Sequence, residues 1–241
     1  QHVIGILPKT RDEVLTLQGL LSFPYAFGAV DGCQLRIQCP IGEAARKDYW
    51  CFKQFDSIIL MAIVDGKGRF MWSSAGMPGN CHDATLLQAS NIWQHLPTIC
   101  RLSVDHVGAI SVPAMILGDN AFPFRSWLMK RYTQANATPD QKKFNKRHSS
   151  SRVVVENAFG WLKMRFRELF RGTESSPENL KFAALAAVTL HNIMIDHNEP
   201  MLLENPDNPG QEIVWLQRAE FADEGRGHAA TVRDLILPLV L

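Results

Sequence analysis

The chain has 241 residues, of which 46% are hydrophobic and 20% are charged, and its formal net charge is +1. This balance excludes a largely disordered chain and predicts one principal α/β domain with a substantial core. The five cysteines are odd in number and include no Cys-x-x-Cys pair, which argues against a disulfide framework or a zinc ribbon and favours a reducing compartment. The longest apolar stretch, Phe182 to Ile195, is too short to span a bilayer comfortably, so no membrane segment is predicted.

The first predicted elements are a helix and a hairpin. Residues 1–22 are predicted to hold a short helix capped by Thr10 and to be the C-terminal end of an upstream helical region, because the chain starts without a methionine. Ala26 to Val30 and Leu35 to Cys39 are predicted as two short strands that turn at Asp31-Gly32.

A second hairpin and a helix follow. Ser57 to Val64 is an almost continuous apolar run, which predicts a central strand, and Arg69 to Ser74 is its predicted partner across a turn at Asp65. The pattern from Asp83 to Gln94 predicts a helix, and residues 97–111 have no clear period and are interpreted as a variable loop.

The next segment carries a strand and two predicted helices. Val112 to Leu117 predicts a strand that ends just before Asp119, and a short helix containing Trp127 is predicted to follow Pro123. The serines at 149–151 are candidate N-caps for a helix that carries Glu156.

The end of the chain changes in character. Leu180 to Ile195 predicts a second apolar helix, which completes the principal domain, predicted over residues 23–199. Residues 200–241 are rich in Asn, Pro, Asp, Gly and Glu and are predicted to be an acidic, loosely structured tail, with a short helix over Trp215 to Phe221.

Three carboxylates are the candidate site. Asp31 and Asp119 are predicted at strand ends of one sheet, and Glu156 projects from a helix that can pack across it. Oxygen clusters of this kind hold hard cations such as Mg²⁺. Paired metals at about 3.5–4 Å polarise a phosphodiester and activate a water or hydroxyl for in-line attack. Nucleic acid is therefore the first substrate to consider.

A basic block surrounds Glu156. Between Pro123 and Arg171 there are twelve basic and three acidic residues, a local charge of +9 in a chain whose remainder carries −8. Such asymmetry is typical of a polyanion-binding surface, although a solvated lysine-rich face gives the same pattern. The predicted DNA contacts are Lys142, Lys143, Lys146, Arg147, Arg152, Lys163 and Arg167.

Each candidate has a structural alternative. Taken singly, Asp31 could be a turn aspartate and Asp119 a helix N-cap. Glu156 could merely pair with Arg152 or Lys163 on a helix surface.

The His82-Asp83 pair leaves two interpretations open. Asp83 fits a helix N-cap, yet the pair could also serve the metal site, Asp83 as an alternative or outer ligand and His82 as a residue behind the ligands. His191 is interpreted as a buried core histidine. The aromatic residues Tyr49, Trp50, Phe52 and Phe55 lie near Lys47 and Lys53 and could stack on unpaired bases, with core packing the favoured alternative.

Strands that end in Asp and a following helix with Glu describe an RNase H-like mixed sheet flanked by helices. The sequence also resembles the DDE nuclease of PIF/Harbinger transposases and their domesticated vertebrate relatives. The resemblance covers about residues 24–197 and is carried by five ordered blocks: Gly28–Gly32, Gly76–Asp83, Leu117–Pro123, Val155–Arg167 and Leu190–Asn192. Cys33-Gln34 stand where Thr-His is common in that family, and Phe122 stands where Tyr is usual.

The resemblance implies a Mg²⁺-dependent endonuclease, with Mn²⁺ as a substitute, that cuts DNA and joins the freed 3′-hydroxyl to target DNA. Asp31, Asp119 and Glu156 would be its catalytic, metal-binding triad. It also implies a nuclear location, with a cytoplasmic pool not excluded, and a Myb-like DNA-binding partner, and it leaves a homodimer open. The alternative is a domesticated DNA-binding adaptor with weak or no catalysis, working for a Myb-like or chromatin partner.

Overall fold

A mixed sheet organises the molecule. The computed structural model describes residues 4–38, 47–170, 176–198 and 228–240. In the described chain the main sheet has the strand order β1-β4-β3-β2-β7-β8, and a separate ribbon pairs β5 with β6. The strands are β1 (Ile4–Gly5), β2 (Ala26–Arg36), β3 (Ser57–Val64), β4 (Phe70–Pro78), β5 (Val104–Val107), β6 (Ile110–Pro113), β7 (Met115–Leu117) and β8 (Leu128–Met129).

The antiparallel part of this sheet contains the predicted central strand. All eight residues of β3 are buried, and β3 pairs antiparallel with β2 and β4 on its two sides. A strand covered on both faces needs apolar residues at every position, which explains the continuous run in the sequence.

The predicted hairpin around Asp31 is wrong. Residues 26–36 form one unbroken strand, in which Asp31 pairs with Ala62 and Gly32 with Met61 on β3. The Asp-Gly dipeptide is a strong turn signal, but here the ladder with β3 continues through it. Asp31 therefore lies in the middle of a strand rather than at its end.

Strands β7 and β8 run parallel to β2, whereas the short β1 pairs antiparallel with β4 at the other edge of the sheet. β7 pairs parallel with β2, and β8 pairs parallel with β7. Three antiparallel strands followed by two parallel ones form the RNase H-like core that the sequence predicts. The predicted helix after Pro123 is wrong, because Leu128 and Met129 are buried in β8.

The helices between residues 11 and 100 agree only in part with the sequence predictions. Helix α1 (Arg11–Gln18) has Thr10 as its N-cap, as predicted. The single helix predicted from Asp83 is two helices, α2 (Asp83–Ala89) and α3 (Ile92–Cys100). The residues interpreted as a variable loop contain the end of α3 and the β5–β6 ribbon.

The long helix α4 (Pro139–Arg165) carries Glu156. It begins much earlier than predicted, at a capping box in which Thr138 and Gln141 satisfy each other's backbone N–H groups. Ser149, Ser150 and Ser151 are interior residues of this helix rather than its cap. Helix α4 packs against β2, β3 and β7, and this contact positions Glu156 over the sheet.

Two further helices complete the fold. Helix α5 (Pro177–Asp196) packs on β4 and β3 and contains the predicted apolar helix. Helix α6 (His228–Val240) packs against α4, and its Val232, Ile236 and Val240 are buried in the core. These residues differ from the loosely structured tail that the composition predicts; the helix predicted over 215–221 lies outside the described residues. No helix in the described ranges is long and apolar enough to cross a membrane.

Candidate active site

The strand register brings Asp31 and Asp119 to the same level of the sheet. Leu117 at the end of β7 pairs in parallel with Ala29 on β2, and each aspartate lies two residues further along its own strand direction. Asp31 is 5% exposed, and its Oδ1 accepts the N–H of Gly32 at 2.9 Å. Oδ1 of Asp119 accepts the N–H of Ala121 at 2.9 Å, which fixes the turn after β7. No described helix begins at Asp119, so the N-cap alternative is not realised.

Arg152 links Asp31 to Glu156. Its Nη1 lies 3.4 Å from Oδ2 of Asp31, and its Nη2 donates to Oε1 of Glu156 one helical turn further on. The guanidinium is 8% exposed, so it neutralises carboxylates in a largely desolvated setting. The side chain of Arg152 is thus turned inward in this structure, and its predicted contact with DNA stays a prediction. The sequence contained a signal for this role, because Arg152 and Glu156 are spaced i,i+4 on a helix.

Asp83 approaches β2 from the other face of the sheet. A Cβ built on Gly32 would lie 2.6 Å from Oδ1 of Asp83, so the absence of a side chain there admits this carboxylate. Successive residues of a strand point to opposite faces. Asp31 therefore faces α4, and Asp83 on α2 lies behind it. His82 is exposed and is the N-cap of α2, without a capping hydrogen bond from its side chain.

Two lysines lie close to the α4 side of the site. Burial raises the pKa of the Cys33 thiol, while the charges of Lys163, which is hydrogen-bonded to the thiol, and of Lys53 partly oppose that effect. Cys33 follows Asp31 by two residues and points to the same face. Lys163 and Lys53 therefore bring positive charge beside the carboxylates.

The other predicted DNA-contact residues differ in how far their side chains are exposed. Lys142, Lys143 and Lys146 are exposed on the first half of α4. Arg147 is also exposed, but its guanidinium donates to the carbonyls of Ser22 and Val240. Arg167 is half-buried in the short 3-10 helix Arg167–Phe170. Arg152 and Arg147 thus bind groups of the protein itself, as Lys163 binds the Cys33 thiol, and Lys143 lies 3.7 Å from a carboxylate oxygen of Asp140.

Structural interpretations of two residues, Asp65 and His191, agree with the structure. Asp65 Oδ1 accepts the N–H groups of Lys67 and Arg69 in the β3–β4 turn. His191 is fully buried, and its Nε2 lies 3.0 Å from the carbonyl oxygen of Gly68. His148, which the sequence did not single out, is likewise buried one turn before Arg152 and bonds the carbonyl of Met129.

The arrangement as a whole is an acidic centre with its own cation. No group of three or more His, Cys, Asp or Glu side chains in the described ranges is close enough together to hold a metal ion in this conformation. The donors are nevertheless all carboxylate oxygens, the ligand type that Mg²⁺ and Mn²⁺ prefer. In this conformation the guanidinium of Arg152 supplies the positive charge between Asp31 and Glu156.

Comparison with known proteins also indicates an endonuclease. The family described as "DDE superfamily endonuclease" matches residues 30–192, a range that includes all three carboxylates. A protein of Arabidopsis thaliana named "Protein ALP1-like" is 28% identical over 224 residues, which is 90% of this chain and 55% of that protein. A human protein named "Putative nuclease HARBI1" is 30% identical over 211 residues, 84% of this chain and 57% of that protein.

The chain thus spans a little over half the length of these relatives. No solved structure matches. The family match covers more than half of the chain, and the relatives are Harbinger-derived, which confirms the resemblance seen in the sequence. The chain belongs to the DDE superfamily endonucleases, in the group of Harbinger-derived proteins.

Proposed function

We propose that this chain is the catalytic core of a divalent-metal-dependent DNA endonuclease, able also to join a freed 3′-hydroxyl to target DNA. What supports the proposal is the arrangement of three distant carboxylates: the β2–β7 register puts Asp31 and Asp119 at the same level of neighbouring strands, and Arg152 pairs with both Asp31 and Glu156. The family match supports the nuclease class.

The donor set fits Mg²⁺ or Mn²⁺. Asp31, Asp119 and Glu156 would hold the ions, with Asp83 as an alternative or outer ligand behind Gly32. Bound divalent ions polarise the scissile phosphodiester and favour the deprotonated form of the attacking water or hydroxyl. Ion binding between Asp31 and Glu156 requires the guanidinium of Arg152 to move aside.

The protein's own residues supply charge and position. Arg152 keeps two carboxylates close together by neutralising their repulsion. The Gly32 N–H fixes the orientation of the Asp31 carboxylate. Lys163 lies about two turns after Glu156 on the same face of α4 and offers a cation to a phosphate beside the site.

The exposed lysines of α4 extend this surface. Lys142, Lys143 and Lys146 are proposed to contact phosphates away from the cleavage point, which gives sequence-independent binding. Recognition of particular DNA ends is proposed to come from a Myb-like partner protein in the nucleus.

The test is neutralisation of single carboxylates. We expect Asp31→Asn, Asp119→Asn and Glu156→Gln each to abolish Mg²⁺- or Mn²⁺-dependent cleavage of plasmid DNA, because each removes a charged ligand. Asp140→Asn, which neutralises an exposed carboxylate at the start of the same helix, is the matched control and should cleave at close to the normal rate. DNA binding and thermal unfolding of each variant establish that it is folded; full cleavage by any one variant removes that residue from the site.

The rival function is a DNA-binding adaptor without catalysis. One observation favours it: the Arg152 ion pairs neutralise the carboxylates within the protein, so the fold does not depend on a metal. In that case the wild-type chain binds DNA but does not cleave it with either ion, and neutralising the carboxylates changes nothing but stability.

A further inference from the structure

A tight turn next to the C-terminal end of β2, the strand that carries Asp31, presents an exposed aromatic ring. Phe52 and Lys53 are the central residues of a turn closed by the Gln54 N–H, which donates to the carbonyl of Cys51 at 2.9 Å. The Cys51 N–H donates to the Phe55 carbonyl at 3.0 Å, and Gln54 has a positive φ of 65°. This is the geometry of a tight three-residue hairpin loop.

The base of the turn is fixed to the sheet. Cys51 is buried, and Trp50 pairs with Asp56 across the hairpin. The guanidinium of Arg36, the last residue of β2, lies 4.5 Å from the centroid of the Phe55 ring. A loop held in this way presents its tip in one position, so that little conformational entropy is lost when a ligand binds there.

The ring of Phe52 is left in solvent at this tip. Its side chain is 68% exposed, the largest exposed fraction among the large hydrophobic residues described, and the ammonium of Lys53 lies 5.7 Å from the ring centroid. An isolated exposed hydrophobic residue needs no explanation. Here, however, the ring is combined with a rigid turn and a neighbouring cation.

Hydrogen bonds connect the turn to the catalytic strand. The segment before the turn binds the Gly79-Asn80 bend: Asn80 N–H donates to the Asp48 carbonyl, and Asn80 Nδ2 donates to the Lys47 carbonyl. On the other side of the bend, Gln34 Nε2 donates to the carbonyl of Gly79 at 3.3 Å. Gln34 lies three residues after Asp31 on β2, and the bend leads directly into Asp83.

The charges near the turn suit a nucleic acid strand. Lys47 and Lys53 are exposed. The charge of Lys53 acts to lower the pKa of the Cys33 thiol, which lies two residues after Asp31 on β2. A cationic groove with an aromatic platform is the arrangement that binds unpaired nucleotides, since the cations attract phosphates and the ring stacks on a base of any sequence. In a fully paired duplex only the outer faces of the two terminal base pairs are free, and every other base is covered by its neighbours.

We propose that Phe52 and Lys53 form a stacking site for an unpaired base of a DNA strand that enters the carboxylate site. The site selects DNA with an unpaired end over blunt duplex. This inference rests on the proposed nuclease function for its choice of DNA as ligand. Stacking itself requires neither metal nor cleavage, so it is measured separately.

The experiment compares two DNA probes without metal. One is a duplex with a short single-stranded overhang that contains 2-aminopurine, and the other is a blunt duplex of the same paired sequence; both are titrated in EDTA. We expect the wild-type chain to bind the overhang probe more tightly and to quench its 2-aminopurine fluorescence. Phe52→Ala should weaken binding of the overhang probe by about five- to 100-fold, the usual range for loss of one stacked base, and leave the blunt duplex unaffected.

Phe182 provides a matched control. It is 52% exposed on α5, and the ammonium of Lys181 lies 5.4 Å from its ring centroid, so Phe182→Ala removes a similar ring-cation pair over β4 rather than beside β2. Phe182→Ala should bind both probes as the wild type does, and Phe52→Trp should keep the preference for the overhang.

Two results would overturn the stacking site: unchanged overhang binding by Phe52→Ala, or an equal loss for both probes. A chain that shows the stacking preference but cuts no DNA with Mg²⁺ or Mn²⁺ would instead contradict the proposed nuclease function alone.

Discussion

At the scale of single residues, the pairing of Asp31 with Arg152 determines how the site behaves. Both side chains are almost fully buried, and a buried charge without a partner costs several kcal/mol. Glu156 shares the same guanidinium. Arg152 and a divalent ion would therefore neutralise the same two carboxylates, and the two cations compete.

Competition between Arg152 and a divalent ion predicts that Arg152→Met lowers the stability of the ion-free protein but increases the stabilisation that an added ion provides. Arg152→Met removes the charge but keeps much of the side-chain volume, and we expect it to lower the free energy of unfolding in EDTA by about 3–5 kcal/mol. Added Mg²⁺ or Mn²⁺ should then stabilise this variant more than the wild type, because an ion that binds only the folded state raises its stability. Thermal unfolding with and without the ion measures both effects.

Lys143→Met is the control for the Arg152 variant. Lys143 is exposed on the same helix, with its ammonium 3.7 Å from Asp140, and surface pairs contribute about 0–1 kcal/mol. It should unfold like the wild type in EDTA and respond to the ion in the same way. An equal ion response in Arg152→Met and the wild type would contradict competition at the site.

At the scale of secondary structure, α4 shows which of two candidate capping sequences determines where a helix begins. Thr138, Pro139 and Gln141 form a capping box with proline in the first turn. The serines at 149–151 have the right chemistry for a cap, but they lie inside a helix that has already begun. Ser149 and Ser151 instead bond Arg131 and Ser22.

This difference gives a direct test of where the helix begins. Thr138→Ala should lower the free energy of unfolding by about 0.5–2 kcal/mol, since the Gln141 N–H loses its acceptor. Ser150→Ala, at an exposed interior position, should leave it unchanged or raise it slightly, since alanine is the better helix former. Urea denaturation followed by circular dichroism compares the two. A larger cost for Ser150→Ala would place the functional N-terminus of the helix at the serines.

The sequence predicts elements whose information is local. The apolar run of β3, the cap of α1 and the turn at Asp65 are all present as predicted. The hairpin at Asp31 fails because pairing with β3, a tertiary contact, overrides the local turn preference of Asp-Gly.

The candidate site shows the same limit. The three carboxylates are recognisable from their patterns, and the family match includes them. The inward turn of Arg152 and the approach of Asp83 to Gly32 depend on how α4 and α2 pack on opposite faces of the sheet. Neither packing arrangement has a local sequence signal. The i,i+4 spacing indicates the Arg152–Glu156 pair, but neither the contact of Arg152 with Asp31 nor that of Asp83 with Gly32 could be predicted.

At the scale of the whole molecule, side-chain contacts join distant parts of the chain. Helix α6 is held by the hydroxyl of Tyr132, which donates to Asp234 at 2.6 Å, and by Arg147, which donates to the carbonyl of Val240. Arg233 lies 3.8 Å from the centroid of the Tyr132 ring. The end of the chain is thereby attached to the helix that carries Glu156.

Two buried histidines make the stability of the molecule depend on pH. The pKa of His148 is lowered to about 3, chiefly by burial; the hydrogen bond to the Met129 carbonyl opposes this shift, and the charges of Arg152, Arg131 and Arg233 contribute to it. Burial lowers the pKa of His191 to about 4, and Arg165 acts in the same direction. An unfolded histidine has a pKa of about 6.5.

Because the folded pKa values are depressed, the unfolded state binds more protons below about pH 6.5. The free energy of unfolding should therefore fall as the pH is lowered from 7 towards 4, by at most about 1.4 kcal/mol per pH unit for each histidine. Urea unfolding between pH 5 and 7 tests this, since most carboxylates stay ionised there. His191→Asn should reduce the slope, and His82→Asn, at an exposed position, should not. An equal slope in wild type and His191→Asn would contradict the assignment.

The parallel pairing of β2 with β7 also has a consequence for folding. Leu117 lies 88 residues after its partner Ala29, and contacts between such distant segments form slowly because the intervening chain must first be closed into a loop. Glu156 joins the site only when α4 docks on the finished sheet. A nascent or partly folded chain therefore carries its acidic residues on separate elements, and the proposed cutting activity arises as one of the last events of folding.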